Sequence, residues 1–273
     1  MANVHVVSCG TSVLGRLLRE RAAVPSLVGF AGDKLDALVR YLQNDGARAR
    51  ARAAVLDQPD WFAELTAMRR YLERKEVDLA YLVSTRTAAS SLCVDWLERY
   101  LRERAGVQVE KGTQFEGYEP EVARDDDTAD ARADAFAADL QVLRARTLRY
   151  VRRRQKAGDR VFIAAQGGYK PEAGVMMLVG AETGATVYYA HEEFRRSVEL
   201  PVLLYDGPMT GLRELHAAGG RVTRLRAEPM LAQHPDLAAA ERAYAVELRR
   251  DDDGRLVEMK LTDYGKLLLE GEE

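Results

Sequence analysis

Three stretches combine glycine, hydroxyl and cationic residues in a pattern suited to holding phosphate: Gly10-Thr11-Ser12, Ser84-Thr85-Arg86-Thr87 and Gln166-Gly167-Gly168-Tyr169-Lys170. Adjacent glycines let an anion approach the backbone closely, the free N–H groups of a helix start can bind it, and Lys170 adds a full positive charge. Thr11, Ser12 and Thr85 offer hydroxyls, and Arg86 brings a second cation to the same kind of turn. Each stretch also has a plainer reading. Thr11 and Ser12 suit helix capping, and Gly-Gly-x-Lys is shorter than a P-loop signature, so a tight turn with a solvated lysine fits it too.

The flanking residues indicate what would position these turns. Val161 to Ala165 is a short apolar, β-prone run, long enough to cross a buried parallel sheet and too short for a helix; after Lys170, Pro171 and Glu172 suit a helix start. Asn3 to Cys9 repeats the layout ahead of a helix from Val13 to Ala23, and Val77 to Ser84 repeats it ahead of a helix from Ser90 to Arg104. In a parallel sheet the carboxyl ends of the strands share one edge, where ligands bind, so these turns are expected to converge.

Other expected elements are helices at 33–43, 60–75 and 128–156 and strands at 107–110, 186–190 and 198–204, with Asn44-Asp45-Gly46 closing the first of these helices. The Ala/Arg alternation from Ala47 to Ala54 reads as a solvated segment. Arginines gather at the end of the long helix, from Arg144 to Arg154, which complements its dipole and marks a solvated face in preference to an RNA site. Alternating strands and helices predict an α/β fold, a Rossmann-like, doubly wound, mostly parallel sheet over residues 1–205. From Asp206 the texture changes to a small α+β domain over 206–273, with helices at 212–218 and 235–244, a hairpin turning at Asp251–Gly254 and a last helix capped by Thr262.

Composition limits the function classes. Of 273 residues 47% are hydrophobic and 30% charged, and 40 basic against 43 acidic side chains give a formal net charge of −3, so any polyanion site must be a local concentration of positive groups. Two cysteines, Cys9 and Cys93, are expected as buried, reduced thiols. No metal is expected, since His5, His191, His216 and His234 lack ligand spacing and Asp125-Asp126-Asp127 falls in an expected loop. No signal sequence or membrane-length apolar run is present, which gives the expectation of a soluble, cytoplasmic protein.

Gly10-Thr11-Ser12 after the first strand, together with Gly167-Gly168-Tyr169-Lys170 after a late one, resembles the CRISPR-associated Rossmann-fold (CARF) family, in particular its ring nucleases. Ala63-Glu64-Leu65 and the Ser84-Thr85 exit fall where that family has comparable segments, and the likeness spans about residues 1–205. It implies a homodimer that binds a cyclic oligoadenylate, with cyclic tetra-adenylate favoured, and cuts it to linear products without metal or other cofactor, which would switch off antiviral signalling. It carries over Ser12 and Lys170 as the active pair, with Gly10, Thr11, Gly167 and Gly168 lining the ligand; Thr85, Arg86, Gln166 and Tyr169 complete the expected binding set. Residues 244–270 also look like the wing and following helix of a winged helix-turn-helix domain, expected as a dimer prop or lid more than as a DNA reader.

Such a reaction needs no protein nucleophile: the ribose 2′-hydroxyl attacks the adjacent phosphorus in line and leaves a 2′,3′-cyclic phosphate. No general base is evident in the sequence. The chief alternative is a transcription regulator that senses the same ligand and binds DNA through the winged segment. A CARF effector with a HEPN ribonuclease domain is disfavoured because Arg226 and His234 are too far apart for its motif, and a dinucleotide dehydrogenase because Gly10-Thr11-Ser12 lacks Gly-x-Gly-x-x-Gly.

Overall fold

The computed structural model describes residues 1–20, 27, 30, 32–115, 129–166, 170–190, 196–200, 209–243 and 245–270. The chain divides into two compact units, Met1–Leu200 and Pro201–Glu273.

In the first unit, strands β1 (Asn3–Ser8), β2 (Leu79–Thr85), β3 (Gln108–Phe115), β4 (Arg160–Ala164), β5 (Thr186–Ala190) and β6 (Ser197–Leu200) form one sheet in the order β3-β2-β1-β4-β5-β6. Pairing is parallel from β3 through β5, and β6 runs antiparallel at the edge. This is a six-stranded, mostly parallel α/β sheet of Rossmann-like order. The register is continuous through its centre, with Val7 beside Leu82 on one side and Ala164 on the other.

Side chains of β1 alternate between two buried faces, which is why the strand reads as an unbroken apolar run. His5, Val7 and Cys9 face the helices α1 (Ser12–Arg19), α2 (Leu35–Tyr41), α3 (Asp45–Leu56), α4 (Ala63–Glu73) and α5 (Ala88–Glu103), where Leu14, Leu38, Val55, Met68 and Trp96 belong to the same core. The opposite face carries α6 (Ala129–Lys156) and α7 (Lys170–Thr183). There Tyr150 stacks on Tyr81 with ring centroids 3.5 Å apart, and its hydroxyl donates to Glu110 at 2.9 Å. The Tyr81 ring lies so close to β3 that a Cβ at Gly112 would sit 2.1 Å from it, so only glycine fits.

Several local expectations need correction. Asn44-Asp45-Gly46 opens α3 instead of closing α2: the Asn44 side chain accepts the Ala47 N–H at 3.0 Å, and Ala47, Ala51 and Val55 bury one face. The Ala/Arg stretch lies in this helix with small residues inward and its arginines outward, in keeping with the solvated reading. The helix expected at 60–75 is broken at Phe62, whose extended backbone (φ −90°, ψ 116°) separates a 3-10 turn at Pro59–Trp61 from α4. The strand expected at 107–110 runs on to Phe115.

In the second unit α8 (Thr210–Ala217), β7 (Arg221–Thr223), α9 (Arg224–Gln233), α10 (Asp236–Arg242), β8 (Val246–Arg250), β9 (Leu256–Leu261) and α11 (Asp263–Glu270) surround an antiparallel sheet of order β7-β9-β8. Leu212, Leu215, Val222, Met230, Leu237, Met259 and Leu261 form its core. The expected hairpin turns at Asp251–Gly254, where the Asp251 carboxylate accepts the Asp253 and Arg255 amides and Gly254 takes φ +77°. Thr262 caps α11 through the Gly265 amide at 3.1 Å. Neither β7 nor α9 is marked by periodicity in the sequence.

Candidate functional site

The strand order changes direction between β1 and β4: chain order runs outward through β2 and β3 on one side and through β4 and β5 on the other. A crevice opens at the carboxyl end of the sheet at such a switch point. Gly10-Thr11-Ser12 leaves β1 there, and Gln166 leaves β4 next to it. Ser12 is the first residue of α1 and Lys170 the first of α7. Gly167, Gly168, Tyr169 and His191 lie outside the described residues.

Thr11, Ser12, Gln166 and Ala190 border a cleft of about 930 Å³ whose other walls include Arg16, Arg19, Gln58, Asp60, Trp61 and Arg69. Thr11 precedes α1 without making a side-chain cap bond, so its hydroxyl is not spent on the helix it begins. The Gln166 carboxamide oxygen accepts the Ala190 N–H at 2.6 Å and ties the exits of β4 and β5 together. Arg16 pairs with Glu20 at 3.8 Å, and Arg69 with Asp60; with the arginine side chains about two-fifths exposed and their partners more so, neither pair holds its cation strongly. Arg16, Arg19, Arg69, Gln58 and Trp61 were missed in the sequence because they come from helix faces and a 3-10 turn that no motif marks.

Beneath the β1 turn lies Glu64, in the first turn of α4 and only 2% exposed. One carboxylate oxygen accepts the Gly10 N–H at 2.7 Å. Burial raises its pKa above the ordinary carboxylate value, and the Gly10 amide pulls the other way. The Ser12 oxygen in turn accepts the Ala63 N–H at 3.2 Å. The bend at Phe62 starts α4 at the point that delivers Glu64 to this place. Further along α4, Arg70 and Tyr71 bond to Glu199 and the Ser197 hydroxyl to the Ala67 carbonyl, fixing the helix to β6.

Thr85 and Arg86 occupy the exit of β2 on the same sheet edge. The Thr85 hydroxyl bonds to that of Thr87 at 3.3 Å, Thr87 caps α5 through the Ser90 amide at 3.1 Å, and Arg86 is exposed. Neither residue borders the cleft at β1 and β4. Cys9 and Cys93 are free and buried, and burial pushes both thiols upward.

An α/β unit of this order has a Rossmann-like architecture, and its polar, arginine-edged cleft lies at the switch point where such sheets take their ligands. More narrowly, a family model described as CRISPR-associated protein (Cas_APE2256) matches residues 60–203, more than half of the chain, and the protein belongs to that family. The matched segment includes Glu64, Gln166 and Lys170, while Gly10-Thr11-Ser12 precedes it. No curated protein matches the chain. Among the described residues, no helix is long and apolar enough to cross a membrane.

Proposed function

We propose that the first unit is a CARF domain with ring-nuclease activity, which binds a cyclic oligoadenylate, preferentially cyclic tetra-adenylate, and opens it by phosphodiester cleavage. The observation that carries this reading is the adjacency of the β1 and β4 exits at the switch point, with hydroxyls and arginine side chains bordering one cleft there. CRISPR-family membership supports a nucleic-acid second messenger over a dinucleotide cofactor. In this reading the cleft arginines and the turn amides hold phosphates, and a 2′-hydroxyl of the ring attacks the neighbouring phosphorus in line. Lys170 offsets charge growing on the phosphoryl oxygens, and Ser12 aligns the attacking hydroxyl. A ring presents repeated phosphates and a two-fold dimer supplies each motif twice, so the working unit is a homodimer. Sedimentation of an active monomer would remove that part of the reading.

We read the second unit as a winged-helix type, supported by its element order and by the β7-β9-β8 sheet with its β8–β9 wing. The helix that would enter a DNA groove is α10, which carries Asp236 and Glu241 against Arg242 alone. That balance opposes binding to phosphate and argues against the DNA-binding regulator.

The test is incubation of purified protein with cyclic tri-, tetra- and hexa-adenylate, with products resolved by mass. Linear oligoadenylates ending in a 2′,3′-cyclic phosphate support the reading. Tight ring binding without cleavage, together with a salt-sensitive shift of duplex DNA, would favour the regulator.

A further inference from the structure

We propose that Trp61 is a base-stacking platform of the cleft, on which one adenine of the bound ring lies flat while its ribose and phosphate sit at the β1 turn. The inference rests on the ring-nuclease reading and adds to it a group that meets a base, which glycines, hydroxyls and arginines around the phosphates do not supply. Phosphate contacts position a nucleic acid, whereas an aromatic face takes hold of the base itself. Trp61 is the one aromatic side chain among the described residues that border the cleft, alongside Thr11, Ser12, Gln58 and Gln166. It packs against the core yet stays partly exposed, while its neighbour Phe62 is buried and anchors the turn from within.

The turn that carries Trp61 is fixed to the site by printed contacts on both sides. Its own N–H donates to the Gln58 carbonyl at 3.0 Å and the Phe62 N–H to the Pro59 carbonyl at 3.1 Å, which closes the 3-10 turn, and Asp60 within it pairs with Arg69 of α4. Just past the bend at Phe62, the Ala63 N–H donates to the Ser12 hydroxyl oxygen at 3.2 Å and the Glu64 carboxyl accepts the Gly10 N–H at 2.7 Å. Two residues of chain separate Trp61 from the amide that meets Ser12, a span of at most about 7 Å. The base and the phosphate of one nucleotide can therefore be met together. Among the described residues no ring or cation stacks on the indole, and none takes its N–H. A ring held in place before the ligand arrives loses little freedom on stacking. The other tryptophan, Trp96 in α5, is 1% exposed and is a core residue only.

The experiment is titration of cyclic tetra-adenylate into the wild type, Trp61→Phe and Trp61→Ala, read by tryptophan fluorescence. It is paired with single-turnover cleavage at a series of enzyme concentrations, whose half-saturation reports binding and whose plateau reports chemistry. The chain has two tryptophans and Trp96 is enclosed, so ring binding is expected to quench the wild-type emission and to leave that of Trp61→Phe unchanged. Half-saturation is expected to rise about tenfold to a hundredfold in Trp61→Ala and to stay within about threefold in Trp61→Phe, which keeps a flat ring, with the plateau rate near wild type in both. Circular dichroism checks the fold of each variant, and the Trp61→Phe comparison stands without Trp61→Ala. A wild-type quench that persists in Trp61→Phe, or wild-type half-saturation in a folded Trp61→Ala, would overturn this inference and leave the ring-nuclease reading standing. A ring that binds with the quench and is not cut overturns cleavage and keeps the platform. A wild type that neither binds nor cuts the ring overturns both together.

Discussion

A buried polar side chain lies at the middle of strand β1 and another beneath the turn that follows it, and the two places differ in what surrounds them. In mid-strand, His5 is fully buried among Tyr71, Phe162 and Tyr188. Its Nε2 donates to the Glu76 carbonyl at 3.0 Å, and its Nδ1 accepts the Tyr188 hydroxyl at 2.9 Å, so the ring is neutral with both nitrogens used. At the strand exit, Glu64 is as deeply buried and holds the Gly10 amide at 2.7 Å, but Thr11 and Ser12 of the same turn border a wide polar cleft. A satisfied polar group closed off by aromatic rings contributes to stability; one that anchors a turn bordering an open cleft fixes groups that a ligand can reach. The difference lies in what borders the cluster, not in its residue types.

The largest expected effect is at the open end. If Lys170 offsets the developing phosphoryl charge as proposed, Lys170→Ala is expected to cost roughly 3 kcal/mol or about a hundredfold in single-turnover rate, while folding and measurable ring binding remain. An unchanged rate would reduce Lys170 to a solvated turn residue and dissolve the contrast.

Next comes the closed end, read as stability against pH. Desolvation lowers the His5 pKa from 6.5 to about 4. Between those values the unfolded chain takes up a proton that the folded chain refuses, so stability is full above about pH 6.5 and falls as the pH drops toward 4, by about 3 kcal/mol. Urea titrations at a series of pH values measure this. His5→Leu should flatten that slope while costing about 1–3 kcal/mol at about pH 7, because the Tyr188 hydroxyl and the Glu76 carbonyl lose their partner. A wild-type slope in His5→Leu would assign the acid loss to another group.

The smallest effects belong to the cleft walls. Arg16→Ala and Arg69→Ala each remove a half-exposed cation, and each is expected to weaken ring binding about three- to tenfold and to reduce its salt dependence, leaving the bound-state rate alone. Equilibrium titration at two salt concentrations separates this from an effect on chemistry.

Much of the first unit was legible because strands buried on both faces leave continuous apolar runs, and Asn3–Ser8, Leu79–Thr85 and Arg160–Ala164 are of that kind. The turns after them were legible because glycine and hydroxyl clusters are local. Glu64 and the cleft arginines were not, since their roles depend on α4 lying under a turn from another part of the chain, and on a bend at Phe62 that has no glycine to announce it. In the second unit α9 escaped notice because it buries few residues, among them Ala227 and Met230, leaves Leu225 87% exposed and carries Pro229 inside. Its place comes from packing against β9, which no window of sequence contains.

The central claim is that the exits of β1 and β4 form a metal-independent site for opening a cyclic oligoadenylate. Its most direct test is wild-type protein in excess over cyclic tetra-adenylate, with and without excess EDTA, and with the products identified by mass. The account predicts linear products ending in a 2′,3′-cyclic phosphate at the same rate in both. An intact ring, or cleavage that EDTA abolishes and added magnesium or manganese restores, would contradict it.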